Sequence, residues 1–261
     1  MSGPQCCENP PTLNPNCGSG HLERIAGLNA YVTGLPESKF TVVLVSDIFG
    51  ITPPSLRSPL VSFLVFFHYF GGFEAPNLRN LADKVAASGF YVVVPDYFKG
   101  DPYNPENAER PIAIWLKDHG HDKGFEETKL IVEALKGKGL SPIGAAGFCW
   151  GAKVVVELSK LGLIEAAVML HPSFVTVEDI KAVTVPICVL GAEIDQMSPP
   201  VLLKKFEEAL ATKPEVDAFV KIFPKVSHGW TVRYDVGNAE AVKCAEEAHL
   251  DMTEWFVKYL K

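Results

Sequence analysis

The chain has 261 residues, 48% hydrophobic and 21% charged, which is enough apolar material for one large core and too little polarity for a disordered chain. Its 31 acidic and 24 basic residues leave a formal net charge of -7, and the longest basic cluster is Lys204-Lys205, so a nucleic-acid or anionic-membrane partner is excluded. Six cysteines (Cys6, Cys7, Cys17, Cys149, Cys188, Cys244) are too scattered for a disulfide framework and none has zinc-ligand spacing with histidines, so neither a metal nor a cofactor is expected.

Residues 1–20 are rich in Pro, Asn, Gly and Cys and read as an irregular arm with little capacity to bury surface, its cysteines exposed thiols. They show no basic n-region or apolar h-region, so they are not a secretory signal, and a reducing, cytoplasmic setting is expected. Residues 21–261 read as a single domain. Leu22 to Thr33 and Phe40 to Ser46 have strand character, the second as a continuous Val/Leu run of the kind buried on both faces of a parallel sheet. It ends in Asp47-Ile48-Phe49-Gly50. The segment 51–72 is atypical: it carries Pro53-Pro54 and Pro59, then an apolar, aromatic block of 11 residues, Leu60 to Phe70, too short for a bilayer span of ~20.

Pro76 to Ser88 has helical spacing closed by Gly89, and Phe90 to Val94 is a strand ending in Pro95-Asp96. Pro105 to Asp118 and Phe125 to Lys136 read as helices around a glycine turn, His119-Gly120-His121, whose histidines are expected at the surface. Strand Ile143 to Phe148, helix Ala152 to Leu161, strands Glu165 to Leu170 and Val185 to Leu190, helix Pro199 to Leu210, strand Ala218 to Phe223 and helix Gly237 to Tyr259 complete the chain. Strands alternating with helices imply βαβ units and a mostly parallel sheet covered on both faces, with ligands bound at the C-terminal strand ends.

Gly147-Phe148-Cys149-Trp150-Gly151 joins a strand to a helix. Gly-x-Cys-x-Gly is the nucleophile-elbow pattern with sulfur at its apex. Glycines flank the apex because side chains there would collide where strand and helix backbones converge, and the helix N-terminus favours a thiolate. The competing reading is a buried cysteine between two packing glycines. A thiol nucleophile needs a base and an orienting acid, which in such a fold follow in the order nucleophile, acid, histidine. Asp195, beyond the strand ending at Leu190, and His228, in Lys225-Val226-Ser227-His228-Gly229-Trp230, satisfy that order. Singly, Asp195 could be a turn or capping acid and His228 a loop histidine; together with Cys149 at one sheet edge they point to a catalytic triad. His171 also ends a strand and competes as base, but it is followed by Pro172 and no acid just beyond a strand's C-terminal end lies between it and Cys149.

The stretches Val45 to Gly50, Ala86 to Asp96 and Gly147 to Gly151, with Asp195 and Ser227-His228-Gly229, resemble the dienelactone hydrolases (carboxymethylenebutenolidases) of the α/β-hydrolase superfamily, most closely plant cytosolic members. The resemblance runs from about residue 21 to the end. It implies an α/β-hydrolase fold with Cys149 as nucleophile, Asp195 as acid, His228 as base and the Ile48 and Trp150 N–H groups as oxyanion hole. Asp47 replaces a glutamate that takes part in thiol activation in bacterial members. Arg233 lies one residue from a substrate-carboxylate arginine, and Lys99 is a loose counterpart of another. Relatives read from Asp-Ile-Phe-Gly straight into a segment like 73–79, so 51–72 is either a lid over the pocket or translated intron sequence.

The expected activity is hydrolysis of a small ester or lactone through a thioester, without metal or cofactor, in a monomer or weak homo-oligomer. Two alternatives stand beside it: β-glucan hydrolysis, as some plant relatives are labelled, and a non-catalytic small-molecule binder.

Overall fold

The computed structural model describes residues 17–49 and 75–261; the expectations for residues 1–16 and for 51–72 lie outside the described residues. In chain order the elements are β1 (His21–Ile25), β2 (Leu28–Thr33), β3 (Thr41–Val45), α1 (Pro76–Ala87), β4 (Tyr91–Pro95), α2 (Ile112–Asp118), α3 (His121–Gly137), β5 (Ile143–Phe148), α4 (Trp150–Lys160), β6 (Ala166–Leu170), α5 (Val177–Lys181), β7 (Ile187–Ile194), α6 (Pro200–Ala211), β8 (Ala218–Ser227) and α7 (Ala239–Leu260). The strands form one eight-stranded sheet in the order β1-β2-β4-β3-β5-β6-β7-β8. β1, β2 and β4 pair antiparallel, and every pairing from β4 through β8 is parallel.

The central strands are apolar on both faces because helices cover both. In β3, Val43 and Val45 enter the core shared with α3, α4 and α6, while Val42 and Leu44 enter the core shared with α1 and α7. That alternation follows from the two-residue period of a strand. β5 is built of small residues so that helices can close on it. A Cβ on Gly144 would lie 2.6 Å from the Phe256 ring of α7.

Local sequence signals were overridden in three places. Leu22 to Thr33 is two strands, not one, because Ala26 and Gly27 turn the chain with φ of 49° and 87°. The helix expected from Pro105 begins only at Ile112: the side chains of Asn104 and Asn107 accept the N–H groups of Glu106 and Glu109, forming turns that compete with helix. α3 starts at His121, so His119-Gly120-His121 leads into the helix rather than lying in a free turn.

The parallel register aligns the strand ends that matter. Phe148 pairs with Leu170, so Cys149 and His171 leave the sheet side by side. Between β7 and β8 the register jumps: Ala192 faces Phe223, yet Ile194 faces Ser227. The extra length of β8 is taken up around Pro224 and Lys225, whose φ is 61° and whose N–H donates to Glu193 Oε2 at 2.7 Å. This bulge advances β8 so that His228 follows a residue paired directly with the one before Asp195.

At the elbow the two glycines are required by contact. A Cβ on Gly147 would stand 2.3 Å from the Gly151 carbonyl oxygen, and one on Gly151 would stand 2.1 Å from that of Val45. Both obstacles are backbone, which cannot swing aside. Gly137, at the end of α3, has nothing within 4 Å of a built Cβ. Gly151→Ala is therefore expected to cost about 2–3 kcal/mol in urea denaturation, as overpacking does. Gly137→Ala should change stability by less than about 1 kcal/mol; equal effects of the two would contradict the contact argument.

Candidate active site

Cys149 is fully buried between β5 and α4 with φ 52° and ψ -108°. A non-glycine residue in that region carries strain of order 1–3 kcal/mol and needs anchoring. Its N–H donates to the Leu170 carbonyl at 3.1 Å, and its own carbonyl accepts the N–H groups of Ser173 at 3.1 Å and Ala152 at 3.2 Å. Sγ stands 3.3 Å from Ser173 Oγ.

Asp195 and His228 meet across the ends of β7 and β8, with Nδ1 of the histidine 2.8 Å from Asp195 Oδ2. Both side chains are wholly shielded from solvent. Asp195 Oδ1 also accepts the N–H groups of Met197 at 2.7 Å and Ser198 at 3.2 Å, and Oδ2 accepts the Ser198 hydroxyl at 3.2 Å. Burial alone would raise this carboxyl; the His228 hydrogen bond and charge and the two amides outweigh it and hold the pKa below its ordinary value.

Burial would likewise push His228 down, but the Cys149 charge and the hydrogen bonds that the ring donates to Asp195 and Cys149 carry the imidazole up to about 9. Cys149 is the largest of the influences raising the pKa, and Nε2 is the ring atom left to face it.

The loop after β3 lies on the same edge. Asp47 Oδ1 accepts the Phe49 N–H at 3.1 Å, which turns the chain so that Ile48 is buried and its carbonyl accepts the Tyr103 N–H at 3.0 Å. Asp47 Oδ2 is 3.4 Å from Arg233 Nε, both side chains almost completely buried. Burial pushes the Asp47 carboxyl above its ordinary value against the pull of Arg233. Arg233 packs against Gly229, where a Cβ would lie 2.2 Å from Nε, and its guanidinium sits 5.4 Å over the Phe49 ring. A cleft of about 510 Å³ opens beside His228, lined among others by Ser227, Trp230, Arg233, Tyr234 and Cys244.

Trp150, the first residue of α4, has its indole enclosed by Tyr97, Phe98 and His121 at centroid distances of 5.7, 5.1 and 5.6 Å. Gly124 makes room for it, since a Cβ there would meet the ring at 2.4 Å. The indole N–H donates to the His119 carbonyl at 3.1 Å. His119 and His121 are thus half-buried packing partners rather than the surface residues expected from sequence. Burial carries His121 down to about 4, so it is neutral at physiological pH.

The structure gathers Cys149, Asp195, His228, Ile48, Trp150, Asp47 and Arg233 at one edge, but Lys99 stands apart. Its ammonium pairs with Glu127 of α3 at 2.6 Å and is 65% exposed, lining with Trp150 a separate cavity of about 420 Å³. His171 is not placed as a base. Its ring meets that of His228 edge-on at 5.1 Å, its Nε2 engages Thr231 Oγ1 at 2.8 Å, and burial holds its pKa well below the ordinary value. Ser173 and Ser198, which touch the thiol and the acid, carry no motif that sequence reasoning could use; only Ser198, three residues after Asp195, has a local signal, as a turn partner.

A profile of the dienelactone hydrolase family matches residues 51–260. An endo-1,3;1,4-beta-D-glucanase of Zea mays is 35% identical over 218 residues, 81% of this chain and 63% of that protein, so the chain spans less than two thirds of the maize relative. A carboxymethylenebutenolidase homolog of Xenopus tropicalis is 33% identical over 193 residues, 72% of this chain and 78% of its own. The dienelactone hydrolase of Anabaena variabilis shares the fold at a TM-score of 0.59 and 13% identity, over 97% of this chain and all of that one. The eight-stranded sheet is that of an α/β-hydrolase, and the chain belongs to the dienelactone hydrolase family.

Proposed function

We propose that the protein hydrolyses small esters or lactones through a thioester on Cys149. The observation that carries this reading is the buried alignment in which Asp195 holds Nδ1 of His228 at 2.8 Å and leaves Nε2 to the elbow cysteine. A histidine raised to about 9 is protonated at neutral pH and stands as counter-ion to a Cys149 thiolate.

The thiolate attacks the ester carbonyl carbon, and the oxygen that becomes negative is received by the Ile48 and Trp150 N–H groups. Trp150 supports that role because the first amides of a helix have no intrahelical acceptor, and Ile48 because the Asp47 side chain fixes the turn around it. Loss of one such donor costs ~10²-fold or more in acyl transfer. Collapse expels the alkoxide, which takes the proton from His228. Neutral His228 then removes a proton from water, the resulting hydroxide attacks the thioester, and the acid leaves as the thiolate is restored. Arg233, buried beside the cleft, offers a positive charge to an acidic substrate, with Asp47 as its resting partner. Lys99, paired with Glu127 away from this cluster, is left out.

The maize relative's name gives glycan hydrolysis as a second reading. That chemistry needs two carboxylates about 5–9.5 Å apart across a sugar. Among the described residues the strand-end acids are otherwise engaged: Asp195 with His228 and Ser198, Asp47 with Arg233 and the Phe49 amide, and Asp96 with amides of its own loop. The ester reading is favoured for that reason.

Cys149→Ala should lower kcat/KM for p-nitrophenyl acetate and for a dienelactone by about 10³-fold or more, with circular dichroism unchanged and no reducing sugar released from mixed-linkage glucan by either protein. Full turnover by the alanine variant would contradict the thiol mechanism, and sugar release would restore the glycan reading. A wild-type chain that is stabilised by a lactone without hydrolysing it would instead be a binding protein.

The histidine supplies an independent check. By NMR the His228 imidazole should remain protonated below about 9 in the wild type, with deprotonation at higher pH. In Cys149→Ala its midpoint should fall, because burial is then opposed by Asp195 without the sulfur. An unchanged midpoint would mean that the two groups are not electrically coupled.

A further inference from the structure

Ser173 touches the elbow cysteine at two atoms. It follows β6 in the sequence Leu170-His171-Pro172-Ser173-Phe174 and is only 1% exposed. Its N–H donates to the Cys149 carbonyl at 3.1 Å, and its hydroxyl oxygen lies 3.3 Å from Sγ. The same turn accepts the Cys149 N–H through Leu170. One short turn therefore holds the strained residue by its amide, its carbonyl and its sulfur.

The turn is itself fixed. His171 and Phe174 have φ of 38° and 64°, with Pro172 between them. His171 is hydrogen-bonded to Thr231, and the Phe174 ring packs on His121 with centroids 4.5 Å apart. Downstream, Thr176 and Asp179 form a capping box at the start of α5. The Ser173 hydroxyl is thus brought to the sulfur by backbone that has little freedom to withdraw.

We propose that Ser173 is a positioning residue for Cys149, whose hydroxyl donates to the sulfur and holds the thiolate in its seat beside His228. This rests on the reading of Cys149 as the nucleophile. A protonated thiol can either donate to the serine oxygen or accept from it. A thiolate can only accept, so ionisation commits the serine hydrogen to the sulfur and the hydrogen bond becomes charge-assisted. It therefore favours the charged form. Unlike His228, serine does not titrate, and its support persists after the imidazolium has given up its proton. As sulfur bonds to carbon and its charge disperses, the hydrogen bond weakens, so Ser173 raises the amount of thiolate present while lowering the intrinsic speed of each thiolate by a smaller factor.

The test is the pH dependence of alkylation by iodoacetamide, in which the thiolate displaces iodide, followed at the Cys149 peptide by mass spectrometry so that the other cysteines do not contribute. Ser173→Ala should move the midpoint up by about one pH unit and slow alkylation roughly three- to fourfold below it, while the plateau rate at high pH rises by about threefold. Thiolate ultraviolet absorbance, referenced to Cys149→Ala, should shift in parallel. If Ser173→Ala fails to fold, Ser173→Thr and Ser173→Val, alike in shape and differing in the hydroxyl, make the same comparison, with the valine midpoint higher. Coincident midpoints with and without the hydroxyl in folded protein overturn the proposal. Abolished ester turnover in Cys149→Ala together with coincident midpoints would sink this inference alone; a shifted midpoint together with retained turnover would sink the thiol mechanism alone.

Discussion

Strand β5 and helix α4 converge so closely at Cys149 that their backbones touch. Gly147 sits against the Gly151 carbonyl and Gly151 against the Val45 carbonyl, leaving no room for a methyl group at either position. The turn between them is forced into a left-handed conformation at a residue that is not glycine. Hydrogen bonds from the turn after β6 hold it there. The rest of the site follows from that placement. Cys149 is set beyond the end of β5, α4 begins at the next residue, and the neighbouring strands need only deliver polar side chains to the same edge.

Delivering those side chains means burying charge, which is costly unless each group has partners. Asp195 has four: two amides, a hydroxyl and an imidazole. His228 has Asp195 on one nitrogen and the cysteine near the other. Asp47 and Arg233 are less well matched, since their 3.4 Å approach lacks hydrogen-bond geometry and burial still pushes the carboxyl upward. The first pair is held by several hydrogen bonds, whereas in the second Arg233 stands at the wall of a cleft of about 510 Å³. Packing supplies the rigidity behind the site, with the His171 ring against both His228 and Trp230 and the aromatic enclosure around Trp150.

Much of this was legible in the sequence because it is written locally. Alternation of apolar strands with helices gave the parallel sheet, the glycine spacing gave the elbow, and Asp195 and His228 were visible because each closely follows a strand. What was not legible depends on contacts distant in the chain or on backbone states that residue type does not announce. Ala26 adopts φ of 49°, so one apparent strand is a hairpin. The β7–β8 bulge, which sets Asp195 and His228 beside each other, rests on Glu193 receiving the Lys225 amide, and the strand was expected to stop at Phe223. Ser173 lies 24 residues from Cys149 and meets it only because β6 runs parallel to β5. His119 and His121 read as exposed loop residues in sequence, but Trp150 folds against them. Lys99, offered as a cationic site residue by resemblance, pairs instead with Glu127 on a helix whose position the motif does not encode.

The most direct test of the thioester is to find it. The protein is mixed with p-nitrophenyl acetate, quenched in acid within a few turnovers, digested, and its peptides weighed. An added acetyl group on the peptide carrying Cys149, removed by hydroxylamine, is the expected result. Acetyl on another residue, or steady turnover with no acyl group on Cys149 at any time, would contradict covalent catalysis by this thiol.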